Sequence, residues 1–264
     1  MARDATASKR AGSMENATTI ALSRLVAQTR AMDVTANNLA NAGTPGFRTE
    51  RMLFSDWLVR EPAVGDGKPT PAGGRMLSYT QDRATYRDQQ EGQLLTTANP
   101  LDLALSGNGY FTVLTPQGPR LTRAGHFQRS QDGTIVDESG MPVLDTTGKK
   151  LQLAPSDTVI TVDSSGVISS QNGEIGQFGV VQPDQANRIR NEGARLIASD
   201  SPTSPVATPQ ISQGSLEQSN VEPTLELTRM MTDMREFQFT TQFVQAEADR
   251  QQSAIDKITQ RQAA

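Results

Sequence analysis

The sequence offers few residues able to do chemistry and sets most of them in turns. Cysteine is absent, which removes disulfides, thiolate metal sites and cysteine nucleophiles together. The sole imidazole, His126, sits in Arg123-Ala124-Gly125-His126-Phe127. A serine triad would need it as base, but no Gly-x-Ser-x-Gly elbow occurs; His126 therefore reads as a structural or surface residue. Gly107-Asn108-Gly109 begins like a dinucleotide fingerprint, yet Thr112 holds the last glycine place and a strand-like Tyr110–Leu114 follows. No helix N-terminus is then at hand for a phosphate. Gly148-Lys149-Lys150 lacks the Walker spacing.

Asp132, Asp137, Glu138 and Asp145 cluster along the chain. Calcium loops place acids at alternate positions before a glycine, whereas here each acid sits in its own turn, where an aspartate binds its own backbone. A glycoside-cleaving carboxylate pair drawn from Asp102, Asp132 and Asp137 stays open as the catalytic alternative. Otherwise no catalytic, cofactor or metal site is expected. Met230, Met231 and Met234 suit an adaptable binding surface or the filling of a helix seam; Met231 lies off the seam and is expected to touch a second neighbour.

The elements around these residues fall into three patterns. Leu22, Leu25, Thr29, Met32, Ala36 and Leu39 recur at alternating spacings of 3 and 4. That predicts a coiled-coil-type helix of about 28 residues, roughly 42 Å long, over Glu15–Ala42. Gly43 is expected to supply the left-handed position after its last turn, and Pro45 blocks continuation. After Pro223 the same rhythm runs through Leu227, Met230, Met234, Phe237, Thr241, Val244, Ala248, Gln251, Ile255 and Ile258. Asn220 or Thr224 is the expected N-cap, with Glu222 and Glu226 where the helix dipole favours negative charge.

Between the helices the period changes. Residues 46–98 are mixed, with an amphipathic stretch at Arg51–Leu58 and a Pro- and Gly-rich Glu61–Gly74 segment. From 99 to 198, turn tetrads such as Ser130–Gly133, Asp137–Gly140, Asp145–Gly148 and Asp163–Gly166 punctuate short β-prone pieces, the mark of an antiparallel, hairpin-rich region. The fold class is therefore α+β: long N- and C-terminal helices pairing as a coiled-coil stalk, with an inserted antiparallel β-rich domain. The expected division is a disordered leader over 1–13, a discontinuous helical domain of 14–45 and 220–264, a connector over 46–98, the β-rich domain over 99–198 and a linker over 199–219.

Composition agrees with slender parts. Of 264 residues only 35% are hydrophobic and 5% aromatic, a thin supply for one compact core of that size. The net charge of −4 and pI near 5.2 argue against a nucleic-acid partner. The leader has no apolar run of the roughly 7–15 residues that a signal core needs, and no stretch is long and apolar enough to insert directly in a membrane. Narrow two-position seams gain little in isolation, so both ends are expected to pair with each other and with neighbouring molecules.

With these patterns in place a resemblance becomes specific. Ala36-Asn37-Asn38-Leu39-Ala40-Asn41-Ala42-Gly43-Thr44-Pro45-Gly46-Phe47-Arg48 looks like the N-terminal signature of the bacterial flagellar rod, hook and hook-associated axial family. Asn99–Leu105, Gly107–Val113, Leu121–Phe127, Asp132-Gly133, Ser219–Pro223 and Met230–Arg235 match it in order. His126 departs from the asparagine often found there, and the leader before Met14 departs as well. The opening Glu15–Ser23 and Glu50–Phe54 are most similar to the proximal rod members, with the distal rod members next.

The resemblance implies a structural, non-catalytic subunit of the basal-body rod in its periplasmic span. Its partners would be other rod proteins, copies of itself and the flagellar type III export apparatus. Subunits would pack head to tail in a helical lattice and transmit torque. The assembly seam would consist of Leu22, Leu25, Met32, Leu39, Leu227, Met230, Met234, Phe237 and Val244. Asn37, Asn38 and Asn41 would fix register through polar contacts. A secreted polysaccharide-active enzyme and a phage-tail or adhesin fibre module are the rival readings.

Overall fold

The computed structural model describes residues 2–60, 76–185, 189–193 and 195–262. The Glu61–Gly74 segment and the side chain of the seam residue Ile258 lie outside the described residues. The chain divides into two compact units. One combines 1–37, 50–86 and 224–264; the other combines 38–49 and 87–223.

The first unit holds both helices. Helix α1 spans Ala2–Ala40, so helix replaces the disordered leader expected over 1–13; four alanines among residues 2–11 favour it. The helix ends differently from expectation. The Asn41 and Ala42 amides donate to the Asn38 and Leu39 carbonyls at 3.2 and 3.3 Å, tightening the last turn in 3₁₀ fashion. Gly43 is absent from the positive-φ positions, and Gly46 takes the left-handed one at φ 71°. Strands β1 (Glu50–Arg60) and β2 (Met76–Arg87) form a two-stranded sheet. The amphipathic stretch Arg51–Leu58 is thus strand, in keeping with its Phe54 and Trp57. Helix α2 spans Pro223–Gln262; it opens on proline, whose fixed φ suits a first turn. Among the described residues no helix is long and apolar enough to cross a membrane.

The second unit is β-rich. Its strands are β3 (Leu94–Thr96), β4 (Leu103–Ser106), β5 (Tyr110–Thr115), β6 (Gly118–Thr122), β7 (Phe127–Arg129) and β8 (Ile135–Asp137). There follow β9 (Ile160–Val162), β10 (Val167–Ser170), β11 (Gly173–Gln177), β12 (Val180–Pro183), β13 (Ile189–Glu192) and β14 (Leu196–Ser199). Residues 199–219, read from sequence as a linker, carry β15 (Thr203–Pro205), β16 (Gln210–Gln213) and β17 (Ser215–Glu217). The largest sheet runs β13-β14-β6-β5-β12-β15 and a smaller one β11-β10-β9; the pairings within both are antiparallel. Alternation on β5 sends Phe111 and Val113 into the main core, while Tyr110 packs with Leu121 and Ile197 in a second cluster.

Three rings centre the main core. Phe111 meets Phe127 edge-on at 5.2 Å and Phe178 at 5.8 Å, and Phe127 stacks on Phe178 at 5.7 Å. Truncating any of them to alanine would cost about 3–5 kcal/mol. The turns behave as their chemistry dictates. Gly133, Gly140, Gly148 and Gly166 amides close onto Ser130, Asp137, Asp145 and Asp163 carbonyls at 3.0–3.1 Å. Asp137, Asp145 and Asp163 each also accept from the amides two and four residues on.

Two small pairings close the unit. β4 pairs β16 with Leu105 opposite Ile211, and β3 pairs β17 with Leu95 opposite Leu216. The last strand before α2 is thereby laid beside residues 93–96.

Candidate functional site

The residues expected to form an assembly seam lie on α1 and α2. On α2, Met230, Phe237 and Val244 are half-buried, whereas Leu227 and Met234 stand exposed. The covered side continues instead through Glu226, Asp233, Thr240 and Glu247. The Glu226 carboxylate on that side accepts from Arg51 of β1 at 3.1 Å and, within the helix, from Arg229 at 2.9 Å. On α1, Leu25, Met32 and Leu39 are half-buried, while Leu22 is 57% exposed beside an exposed Val26. The helices meet where Arg24 and Gln28 both reach Glu236 at 3.3 Å. The Arg24–Glu236 pair is solvent-exposed and contributes little. Near the end of α1, Asn38 is buried, Asn41 is half-buried and Asn37 is exposed; Asn41 accepts from the Thr44 hydroxyl at 3.4 Å.

The carboxylates considered for catalysis are each held by hydrogen bonds of their own. Asp102 is buried, accepting from Asn99 at 2.9 Å and lying 2.6 Å from His126 Nδ1. Asp132 binds the Thr134 amide and hydroxyl, and Asp137 binds Ser139 and Met141. Asp132 and Asp137 are thus engaged in their own turns and Asp102 with Asn99 and His126, with Asp102 and Asp137 buried rather than exposed. Among the described residues no acid, histidine or cysteine cluster could hold a metal ion.

A different constellation, unread in the sequence, occupies the β-rich unit. Arg48, Arg123 and Glu217 have side chains only 1–2% exposed. Glu217 lies between the two guanidiniums, 2.6 Å from Arg123 Nε and 3.4 Å from Arg48 Nη2. Arg123 also donates to the carbonyls of Leu105 at 2.6 Å, Gly107 at 2.7 Å and Gly109. Burial pushes the Arg123 guanidinium down from its ordinary value, the Glu217 charge opposes this, and the Arg48 charge adds to it. Arg48 donates to Gln89 at 3.4 Å, and its Nε has no partner among the described residues.

Backbone reinforces the cluster. The Gly46 amide donates to the Glu217 carbonyl at 2.8 Å. A side chain at Gly46 would stand 2.5 Å from the Arg123 carbonyl, so the positive φ and the close approach both demand glycine. Asn220, considered above as a helix cap, is used here instead. Its Oδ1 accepts from the Thr49 amide and hydroxyl at 2.7 and 2.8 Å, and its Nδ2 donates to the Gln90 carbonyl at 2.9 Å. Arg48, Arg123 and Asn220 lie in the quoted motifs, but no periodicity or spacing links them; Glu217 carried no signal.

Three family descriptions match the chain. They are the flagella basal body rod protein over 19–48, the flagellar hook protein FlgE/F/G D1 domain over 104–170, and the flagellar basal body rod FlgEFG protein C-terminal region over 212–257. Among similar proteins, the flagellar basal-body rod protein FlgF of Caulobacter vibrioides is 32% identical over 247 residues, covering 93% of this chain and 98% of that protein. The chain belongs to the flagellar basal-body rod protein family. FlgF of Mesorhizobium japonicum is 30% identical, with the same coverage. The rod protein FlgG of Bacillus subtilis is 29% identical over 81% of this chain and 88% of its own.

The chain is accordingly a structural subunit of the flagellar basal-body rod and not an enzyme, which displaces the polysaccharide-enzyme and fibre-module readings. Arg48, Arg123 and Glu217 each fall in a different one of the three matched segments. The buried cluster is where those segments meet.

Proposed function

We propose that this rod subunit is of the FlgF, proximal type. Its terminal segments, 14–45 and 220–264, form a discontinuous coiled-coil domain that pairs with copies of itself and with other rod proteins. The subunit reaches its place through the flagellar type III export apparatus and passes torque along lattice contacts in the periplasmic span. The interface is built from Leu22, Leu25, Met32, Asn37, Asn38, Leu39, Asn41, Leu227, Met230, Met234, Phe237 and Val244. One observation carries this reading: Leu22, Leu227, Met231 and Met234 stand exposed on helices of 39 and 40 residues. Apolar side chains spaced in this way suit a helical partner.

The test is a Leu227→Asp, Met234→Asp double variant produced in cells lacking the native chain. Both side chains are exposed, so the isolated subunit keeps its circular dichroism and melting temperature. The rod is expected not to assemble, and swimming is lost. Normal swimming with normal rods would overturn the interface.

A further inference from the structure

The chain passes between its two units at four places, after residues 37, 49, 86 and 223. Three short segments of the β-rich unit flank those passages, and their contacts interlock. The Gly46 amide donates to the Glu217 carbonyl, the Asp88 amide to the Thr49 carbonyl at 2.9 Å, and the Gln218 amide to the Gln93 carbonyl at 2.8 Å. The Gly92 amide donates to Glu217 Oε1 at 3.3 Å, and Gly92 is itself pressed so close that a side chain would stand 1.8 Å from the Gln218 carbonyl. Asn220 ties Thr49 to Gln90.

Each of these bonds joins two segments remote in sequence, and the buried Glu217 carboxylate serves both guanidiniums. Removing that carboxylate leaves Arg48 only Gln89, and leaves Arg123 only Glu91 at 3.8 Å and its three backbone carbonyls; a buried charge that loses its partner is costly, so opening any one segment breaks bonds of the other two. We infer that segments 46–49, 88–93 and 217–220 form a single lock, with Glu217 as its positioning residue. The lock opens and closes as one cooperative event, separately from the phenylalanine-centred core.

Native-state hydrogen exchange on the full chain tests it. Wild type is compared with Glu217→Gln, which keeps the shape and removes the charge. The Gly46, Thr49, Asp88, Gly92 and Gln218 amides are expected to speed up together by roughly a hundredfold. The Leu144 and Phe178 amides, which bond within the core to Thr112 and Gly166, should keep their wild-type rates. Acceleration at Gly92 alone would reduce Glu217 to a local acceptor, and equal acceleration of the core amides would show mere global destabilisation; either overturns the lock.

A second variant, Asn220→Ser, leaves the ion cluster intact and covers the case in which Glu217→Gln fails to fold. The lock requires that Gly46 and Gly92, neither of which bonds to the Asn220 side chain, accelerate in step with Thr49. Acceleration confined to Thr49 would refute it.

Discussion

At the scale of the residue, several turn aspartates are held by hydrogen bonds that favour their charged form. Hydrogen bonds from Asn172, Ser170 and the Ala154 amide hold Asp157 below the usual carboxylate range. The Ser165 hydroxyl and the Val167 amide do the same for Asp163, as the Thr134 amide and hydroxyl do for Asp132. A depressed carboxylate stabilises the folded form above its unfolded value of about 3.9 and loses that contribution as pH falls through the folded value. The β-rich unit should therefore hold its melting temperature down to about pH 4 and soften below it. Asp163→Asn should melt lower at neutral pH and show a shallower acid limb in calorimetry. Asp233 behaves oppositely: burial, then the Glu236 and Glu226 charges, push its carboxyl up. Its contribution is present in acid and lost as pH rises through the folded value. Asp233→Asn should thus raise the melting temperature of the helices modestly at pH 7, and the gain should vanish in acid.

At the scale of the element, the ends of the helices were more legible than their faces. Pro45 and Pro223 are local signals, and α1 stops before the first while α2 starts on the second. The face of α2 is ambiguous in principle. Met230, Phe237, Val244 and Gln251 belong equally to a seam completed by Leu227, Met234, Thr241 and Ala248 or by Glu226, Asp233, Thr240 and Glu247. Apolarity favours the first set, yet the single chain covers the second, where Arg51 of β1 meets Glu226. The side chains at 227 and 234 are thereby kept outward. The turns were readable because an aspartate needs only its own next few amides. The strands of 203–217 were not, since their partners lie at 94–106 and at β12, far off in sequence. The Arg48–Glu217–Arg123 cluster failed for the same reason, its members being 169 and 94 positions apart.

At the scale of the whole molecule, two kinds of stability coexist. The β-rich unit has a buried core centred on three rings and ties its own remote segments together by backbone hydrogen bonds. The helices bury one side and offer apolar residues on others, and long helices gain most of their stability from packing. Limited proteolysis of the isolated subunit should accordingly cut first before about residue 38 and after about residue 223, leaving a resistant fragment of about 38–223 by mass spectrometry. Equal resistance along α2 would contradict that ordering. The turn at Asp145–Gly148 carries a practical consequence. Thr146, Thr147 and Gly148 are exposed, and nothing lies within 4 Å of a side chain built at Gly148. In a sequence without cysteine, a single thiol placed at Thr146 would accept one fluorophore at a known point, remote in sequence from both helices. The stoichiometry and turnover of this subunit in living basal bodies could then be counted photon by photon.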